Sequence, residues 1–153
     1  MNVFIELINN KILIIAVIGW FVAQVLKTII HLIFTKQFVP ERLVGSGGMP
    51  SSHSATVCAM TTAVAMEYGV GGFEFAITII LAIIVMHDAR GVRRETGIQA
   101  EIINDIVEIF TKMGHKEMSA HEKLKEFVGH TPLQVLVGGI LGVIIALITY
   151  NFL

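Results

Sequence analysis

Four long runs of apolar residues dominate the chain, at about residues 12–34, 54–70, 75–91 and 131–150. Runs of about 20 apolar residues match the thickness of a bilayer's hydrocarbon core, so each run is predicted to be a transmembrane helix. The last run contains no charged residue. The pattern predicts an all-α fold: residues 1–153 form a single membrane domain, an integral bundle of about four transmembrane helices.

A different pattern fills the connection before the last span, residues 95–128. Its apolar positions recur at helical spacing: Ile98, Ile102, Ile106, Ile109 and Met113. Acidic residues and a lysine lie between them. This spacing predicts an amphipathic helix that lies at the membrane surface or caps the bundle. Ser119 followed by Glu122 has the capping-box spacing and predicts the start of a second short helix.

Composition supports a membrane protein and excludes several other classes. Hydrophobic residues make up 54% of the chain and charged residues 15%, whereas soluble proteins have about 25% charged residues. The net charge of -1 offers no basic face, so nucleic acid is not an expected partner. The single cysteine, Cys58, excludes an intramolecular disulfide and a cysteine-based zinc site.

The charged residues are unevenly distributed. Four of them fall within the predicted spans: Lys27, Glu67, Asp88 and Arg90. With four crossings, residues 36–53 and 92–130 share one side, and they hold eight of the nine Lys and Arg residues outside the spans. The positive-inside rule places this side in the cytoplasm and both termini outside. We expect an integral protein of the bacterial inner (plasma) membrane.

Residues 45–55, GSGGMPSSHSA, place glycines, two serines and a histidine before an apolar helix. Glycine-rich backbone and a helix N-terminus favour an anion site. Ser51 and Ser52 can cap the helix or donate to an oxyanion, and His53 can carry a proton. The alternative is an ordinary interhelical loop with serine caps.

Residues 87–97, HDARGVRRETG, end the third span. Asp88 and Arg90 are costly at membrane depth, so they should pair or face a polar cavity. Arg93 and Arg94 can bind phosphate with two hydrogen bonds each. The alternative for the arginines is a stop signal that contacts lipid headgroups.

The last span opens with a capping box, Thr131 to Gln134, directly after His130. Gly138 and Gly142 form a GxxxG pair, a close-packing signature of membrane helices. The alternatives are an interfacial role for His130 and pure capping for Gln134.

In the first span, Gln24, Lys27 and His31 lie on one helical stripe that we expect to face the bundle interior. All four polar segments fall at the same membrane face, where their cations and histidines suit a phosphate.

Three sequence blocks carry a resemblance to a known family: GGMPSSHSA, DARGVRR with GIQAEIIN, and GHTPLQVLVGG. Together, over about residues 24–142, they resemble the divergent branch of the type-2 phosphatidic acid phosphatase superfamily. Lipid phosphatases, acid phosphatases and vanadium haloperoxidases are its relatives. The resemblance implies a metal-independent phosphatase that needs no cofactor. Its substrate would be a phospholipid or isoprenoid-lipid phosphate, as a phosphomonoester or diphosphate.

The resemblance also implies site residues. His53 matches the general acid, and His130 matches the nucleophile that forms a phosphohistidine. Gln134 stands where the family has an aspartate that orients the nucleophile, and Asp88 is a candidate substitute. The phosphate ligands would be Lys27, Ser51, Ser52, Arg93 and Arg94.

Two departures from the family pattern leave alternatives open. Leu124 replaces an arginine, so Lys123, Lys125, Arg93 or Arg94 would have to serve, and Lys36 and Arg42 are spaced differently from the first family motif. Because Gln134 replaces the aspartate and Leu124 replaces the arginine, a non-catalytic protein that binds or transports phospholipid headgroups is the alternative function. A metal site from His53, His87, Asp88 and His130 has no ligand-spacing motif behind it. Four predicted spans are fewer than the six membrane helices usual in the family. A homodimer through the GxxxG pair would complete the helical core.

Overall fold

The computed structural model describes residues 2–40, 45, 47–113, 124 and 129–153. These residues form helices and no strand: α1 (Val3–Ile8), α2 (Lys11–Thr35), α3 (Ser52–Tyr68), α4 (Phe73–Arg90), α5 (Val92–Lys112) and α6 (Pro132–Thr149). The prediction of an all-helical membrane bundle is confirmed. The predicted helix start at Ser119, together with Arg42, Lys123 and Lys125, lies outside the described residues.

Three helical segments in the described part of the chain are long and apolar enough to cross a membrane: Lys11–Thr35, Phe73–Lys112 and Pro132–Thr149. The remaining predicted span corresponds to α3, which has 17 residues and packs against α2, α4 and α6. Its inner positions are small, because Ala55, Ala59 and Ala63 are fully buried. Small side chains let the three neighbouring helices approach α3 closely.

The GxxxG pair of α6 packs inside the chain. A Cβ atom on Gly138 would collide with the carbonyl oxygen of Ser51, and one on Gly142 with the carbonyl oxygen of Ala55. Both glycines are buried. The expectation that this pair forms a homodimer interface is therefore wrong, because α3 of the same chain already covers it. Dimer formation by another surface stays a prediction.

The amphipathic connection is confirmed as a helix over α5, which follows α4 directly at Gly91. Gly97 and Ala100 of α5 are buried, whereas its periodic apolar side chains are exposed: Ile98, Ile102, Ile106, Ile109 and Met113. Its placement at the membrane surface stays a prediction.

Backbone hydrogen bonds show which helix ends meet. The N–H of His130, just before α6, donates to the carbonyl of Ala89 near the end of α4 (3.1 Å). The N–H of Ser51, just before α3, donates to the carbonyl of Gln134 in α6 (3.1 Å). The polar segments therefore gather at one end of the bundle. At the other end, the Tyr150 hydroxyl donates to Glu67 (2.7 Å).

Candidate functional site

Ser51 and Ser52 form the start of α3 and are both buried. The Ser51 hydroxyl oxygen accepts from the N–H of Ser54 (3.4 Å) and from its hydroxyl (3.0 Å). Ser51 therefore caps the helix, one of the two roles that the sequence suggested. Before it, Gly47 and Gly48 have positive φ values of 85° and 81°, a backbone conformation that favours glycine.

His130 is one of the most buried polar residues, with 2% of its surface exposed. Its Nδ1 lies 3.3 Å from Oε1 of Gln134. The same Oε1 accepts a hydrogen bond from the N–H of Thr131 (3.0 Å), and the Thr131 hydroxyl accepts from the N–H of Gln134 (3.3 Å). The predicted capping box is confirmed, and its glutamine also contacts the histidine ring.

Several groups set the charge state of His130. Burial is the largest influence, and it lowers the pKa of the imidazole because it disfavours the charged form. The hydrogen bond with Gln134 and the carbonyl of Gly48 oppose this, while positive charge on Lys27 and His53 lowers the pKa further. With its pKa below the ordinary value, His130 is neutral at neutral pH and keeps a nitrogen lone pair.

Lys27 lies inside the bundle with 2% of its surface exposed. Its Nζ donates to Oε1 of Gln24 (2.6 Å) and to the carbonyl of Gly45 (3.2 Å). A buried ammonium group is tolerated only where such acceptors compensate for lost water. The expectation that this stripe faces the bundle interior is confirmed for Gln24 and Lys27, while His31 is partly exposed.

Asp88 and Arg93 form an ion pair across the junction of α4 and α5, with 2.5 Å between Oδ2 and Nε. The expected pairing of Asp88 is thus present. His53, half-buried at the start of α3, lies within electrostatic reach of Lys27, Arg93 and Asp88. Asp88 acts on His53 through its charge, whereas Gln134 lies beside Nδ1 of His130.

A cleft of about 590 Å³ opens at this end of the bundle. Its described lining residues are His31, Gly48, Arg94, Gly97, Ile98, Glu101, Gly129, His130, Thr131 and Gln134. Of the sequence-predicted site residues, His130 and Arg94 line the cleft. Lys27, Ser51, Ser52, His53, Asp88 and Arg93 do not line it.

Gly129 has a role that the sequence did not indicate. A Cβ atom on Gly129 would overlap the backbone of Arg94, so only glycine permits this contact. The contact holds the start of α5 against the segment that carries His130. Glu101 of the cleft wall was also missed, because its spacing fits an ordinary solvated helix face.

The alternative metal site is not assembled. Among the residues that the structure describes, no group of three or more His, Cys, Asp and Glu side chains is placed to hold a metal ion. His53, His87, Asp88 and His130 all belong to that described part.

Comparison with known proteins assigns the family. The Divergent PAP2 family matches residues 8–145. The chain is 38% identical over 155 residues to the uncharacterized membrane protein YuiD of Bacillus subtilis (strain 168). The alignment covers 96% of this chain and 98% of that protein. No solved structure matches the chain. The family match and the apolar helices agree with each other: this chain is a membrane protein that belongs to the Divergent PAP2 family.

Proposed function

We propose that the protein is a membrane-embedded phosphatase that hydrolyses a lipid phosphomonoester or diphosphate. One observation carries this proposal: the buried His130 lines a cleft together with Arg94. Burial lowers the pKa of His130, which favours the neutral ring. A neutral imidazole is a nucleophile, and an adjacent guanidinium can hold phosphoryl oxygens. The family assignment supports the same chemistry.

The reaction proceeds in two displacements. A ring nitrogen of His130 attacks phosphorus, the bond from phosphorus to the lipid oxygen breaks, and His53 gives that oxygen a proton. Water then attacks the phosphohistidine and gives its proton to His53, and inorganic phosphate leaves as His130 is restored. Burial, followed by the positive charges of Arg93 and Lys27, lowers the pKa of His53, and the negative charge of Asp88 opposes them. Asp88 thus favours the protonated form that the first displacement requires.

Positively charged side chains around the two histidines stabilise the bound phosphoryl group in the proposed complex. Lys27 acts on both His53 and His130, and Arg93 acts on His53. In the proposed complex, Lys27, Arg93 and Arg94 stabilise the charge that develops on the phosphoryl oxygens, with Ser51 and Ser52 at the adjoining helix start. Because Ser51 caps α3, its contribution comes through the position of the loop.

The site is proposed to face the cytoplasm of a bacterium, within one membrane domain that spans residues 1–153. The support is the concentration of Lys and Arg in residues 36–53 and 92–130. The lipid substrate, a phospholipid or isoprenoid-lipid phosphate, would enter the cleft from the adjacent leaflet. A homodimer is proposed only through a surface other than the GxxxG pair.

A second function, headgroup binding or transport without catalysis, is favoured by two departures from the family pattern. Gln134 presents an amide where the family has a carboxylate, and an amide cannot neutralise an imidazolium. Leu124 stands at the family's arginine position and is exposed. Both of its backbone groups bond to the side chain of Asn104.

The two functions are separated by a phosphate-release assay. Purified protein in lipid nanodiscs is given phosphatidic acid, an isoprenoid diphosphate and p-nitrophenyl phosphate. We expect His130→Ala to abolish release from every substrate. His53→Ala should lose roughly 10²–10⁴-fold on lipid substrates, as general acids typically contribute. The first release of p-nitrophenol from p-nitrophenyl phosphate should fall much less, because that leaving group needs no proton. His87→Ala, an exposed histidine, is the control. Lipid binding without turnover would favour the second function.

A further inference from the structure

We propose that Gln134 holds His130 in the tautomer with its proton on Nδ1, which leaves Nε2 as the attacking nitrogen. Gln134 is thus a positioning residue for the nucleophile. This inference rests on the proposed function for its catalytic meaning, while the tautomer itself follows from hydrogen bonding alone.

The backbone fixes the orientation of the Gln134 amide. An amide side chain can present either its oxygen or its NH₂ group to a neighbour, and the hydrogen-bond network decides between them. Here the backbone N–H of Thr131 points at Oε1 (3.0 Å). A backbone N–H is always a donor, so the atom that it meets must be the oxygen.

The amide oxygen in turn fixes the proton position on the imidazole. The same Oε1 lies 3.3 Å from Nδ1 of His130. Carbonyl oxygen only accepts, so a favourable contact requires hydrogen on Nδ1. Since burial keeps the ring neutral, the other nitrogen then carries the lone pair. The competing acceptor is the carbonyl of Gly48, which also acts on the ring and would favour the opposite tautomer if it bonded Nε2.

The capping box therefore serves the histidine as well as the helix. The side-chain oxygen of Gln134 caps the N-terminus of α6 and also selects the tautomer of His130. A carboxylate at this position would select the same tautomer and would also stabilise the imidazolium. Glutamine keeps the first effect and gives up the second, so the family's aspartate is replaced only in part.

The test uses ¹⁵N NMR of histidine-labelled full-length protein in nanodiscs, with the His130 signals assigned from the spectrum of His130→Ala. We expect the ring to carry its proton on Nδ1 in the wild type and in Gln134→Glu. In Gln134→Leu, the Nε2-protonated form should increase. A wild-type ring protonated on Nε2, or an unchanged ring in Gln134→Leu, would overturn the inference.

A matched control separates positioning from capping. Thr131→Ala removes the hydroxyl that accepts from the Gln134 N–H but keeps the Thr131 N–H and the His130 contact. We expect the tautomer to survive this change, whereas a purely structural role predicts the same result as Gln134→Leu. The spectra are independent of turnover. An Nδ1-protonated ring in a protein that releases no phosphate would support the tautomer assignment while rejecting the proposed phosphatase.

Discussion

The backbone N–H of Ser51 donates to the backbone carbonyl of Gln134 at 3.1 Å, which joins the two helix starts that carry His53 and His130. The bond uses backbone atoms only, so its formation depends on how closely α3 and α6 approach. Gly138, one turn beyond Gln134, permits that approach, because any side chain there would strike the Ser51 carbonyl. The close approach of the two helix starts therefore depends on a glycine.

Replacing Gly138 by alanine is expected to lower the stability of the bundle by about 1–3 kcal/mol, as overpacking typically does. The added methyl group meets backbone on the facing helix, which cannot rotate away. Thermal unfolding in detergent measures the effect. Gly71→Ala is the control, since a Cβ there has open space around it. Equal stability of the two variants would contradict the close packing described for α3 and α6.

Lys27→Met is expected to weaken substrate turnover at least tenfold and to loosen the loop before α3. The methionine fills a similar volume but gives no donor to Gln24 or to the carbonyl of Gly45. Phosphate release and proteolysis of the loop report the two effects. Lys112→Met is the matched control, because Lys112 is exposed on α5 and pairs with Glu108. A Lys27→Met protein with wild-type turnover would remove Lys27 from the site.

The titration of His130 should have a midpoint below the ordinary histidine pKa of about 6.5, because burial lowers its pKa. The neutral ring then persists as the pH falls to 6.5 and below, so activity that depends on neutral His130 is kept there. The matching contribution to stability is complete above 6.5 and declines as the pH falls towards the folded-state pKa. A ¹⁵N titration of His130 measures the midpoint directly.

Lys27 supplies the internal check on that titration. Its positive charge lowers the pKa of His130, so Lys27→Met should move the midpoint upward, while Lys112→Met should leave it in place. A wild-type midpoint at or above 6.5 would show that the ring is not buried as described.

The cytoplasmic placement of the site predicts the labelling of single cysteines in cells. After Cys58→Ser, a cysteine at Met49, which is exposed near the site, should resist a membrane-impermeant maleimide until the cells are broken. A cysteine at Gly71, in the loop between α3 and α4, should react in intact cells. The reverse pattern would place the site outside.

Much of the fold was accessible from the sequence because apolar length is a strong signal. The runs at 12–34, 75–91 and 131–150 coincide with α2, α4 and α6. The capping box at Thr131 was recognisable because its chemistry is local. The bounds of α3 were also close, although its small residues gave no indication that it forms the centre of the bundle.

Contacts between distant residues were not accessible in the same way. GxxxG spacing shows that a close neighbour exists, but it does not say whether that neighbour belongs to the same chain. Likewise, the spacing of Asp88 and His130 could not show that Arg93 pairs with Asp88 while Gln134 reaches the imidazole. Gly129 carries no signal beyond its position before a histidine, since its contact with Arg94 exists only in three dimensions.

In the proposed function, His130 is the nucleophile of a lipid phosphatase. The most direct test of this role is the capture of a phosphoenzyme from ³²P-labelled phosphatidic acid or isoprenoid diphosphate, followed by mapping of the labelled residue. We expect an acid-labile, base-stable phosphohistidine at position 130 in the wild type, with no label in His130→Ala. Phosphate release by His130→Ala at the wild-type rate, or label on another residue, would contradict it.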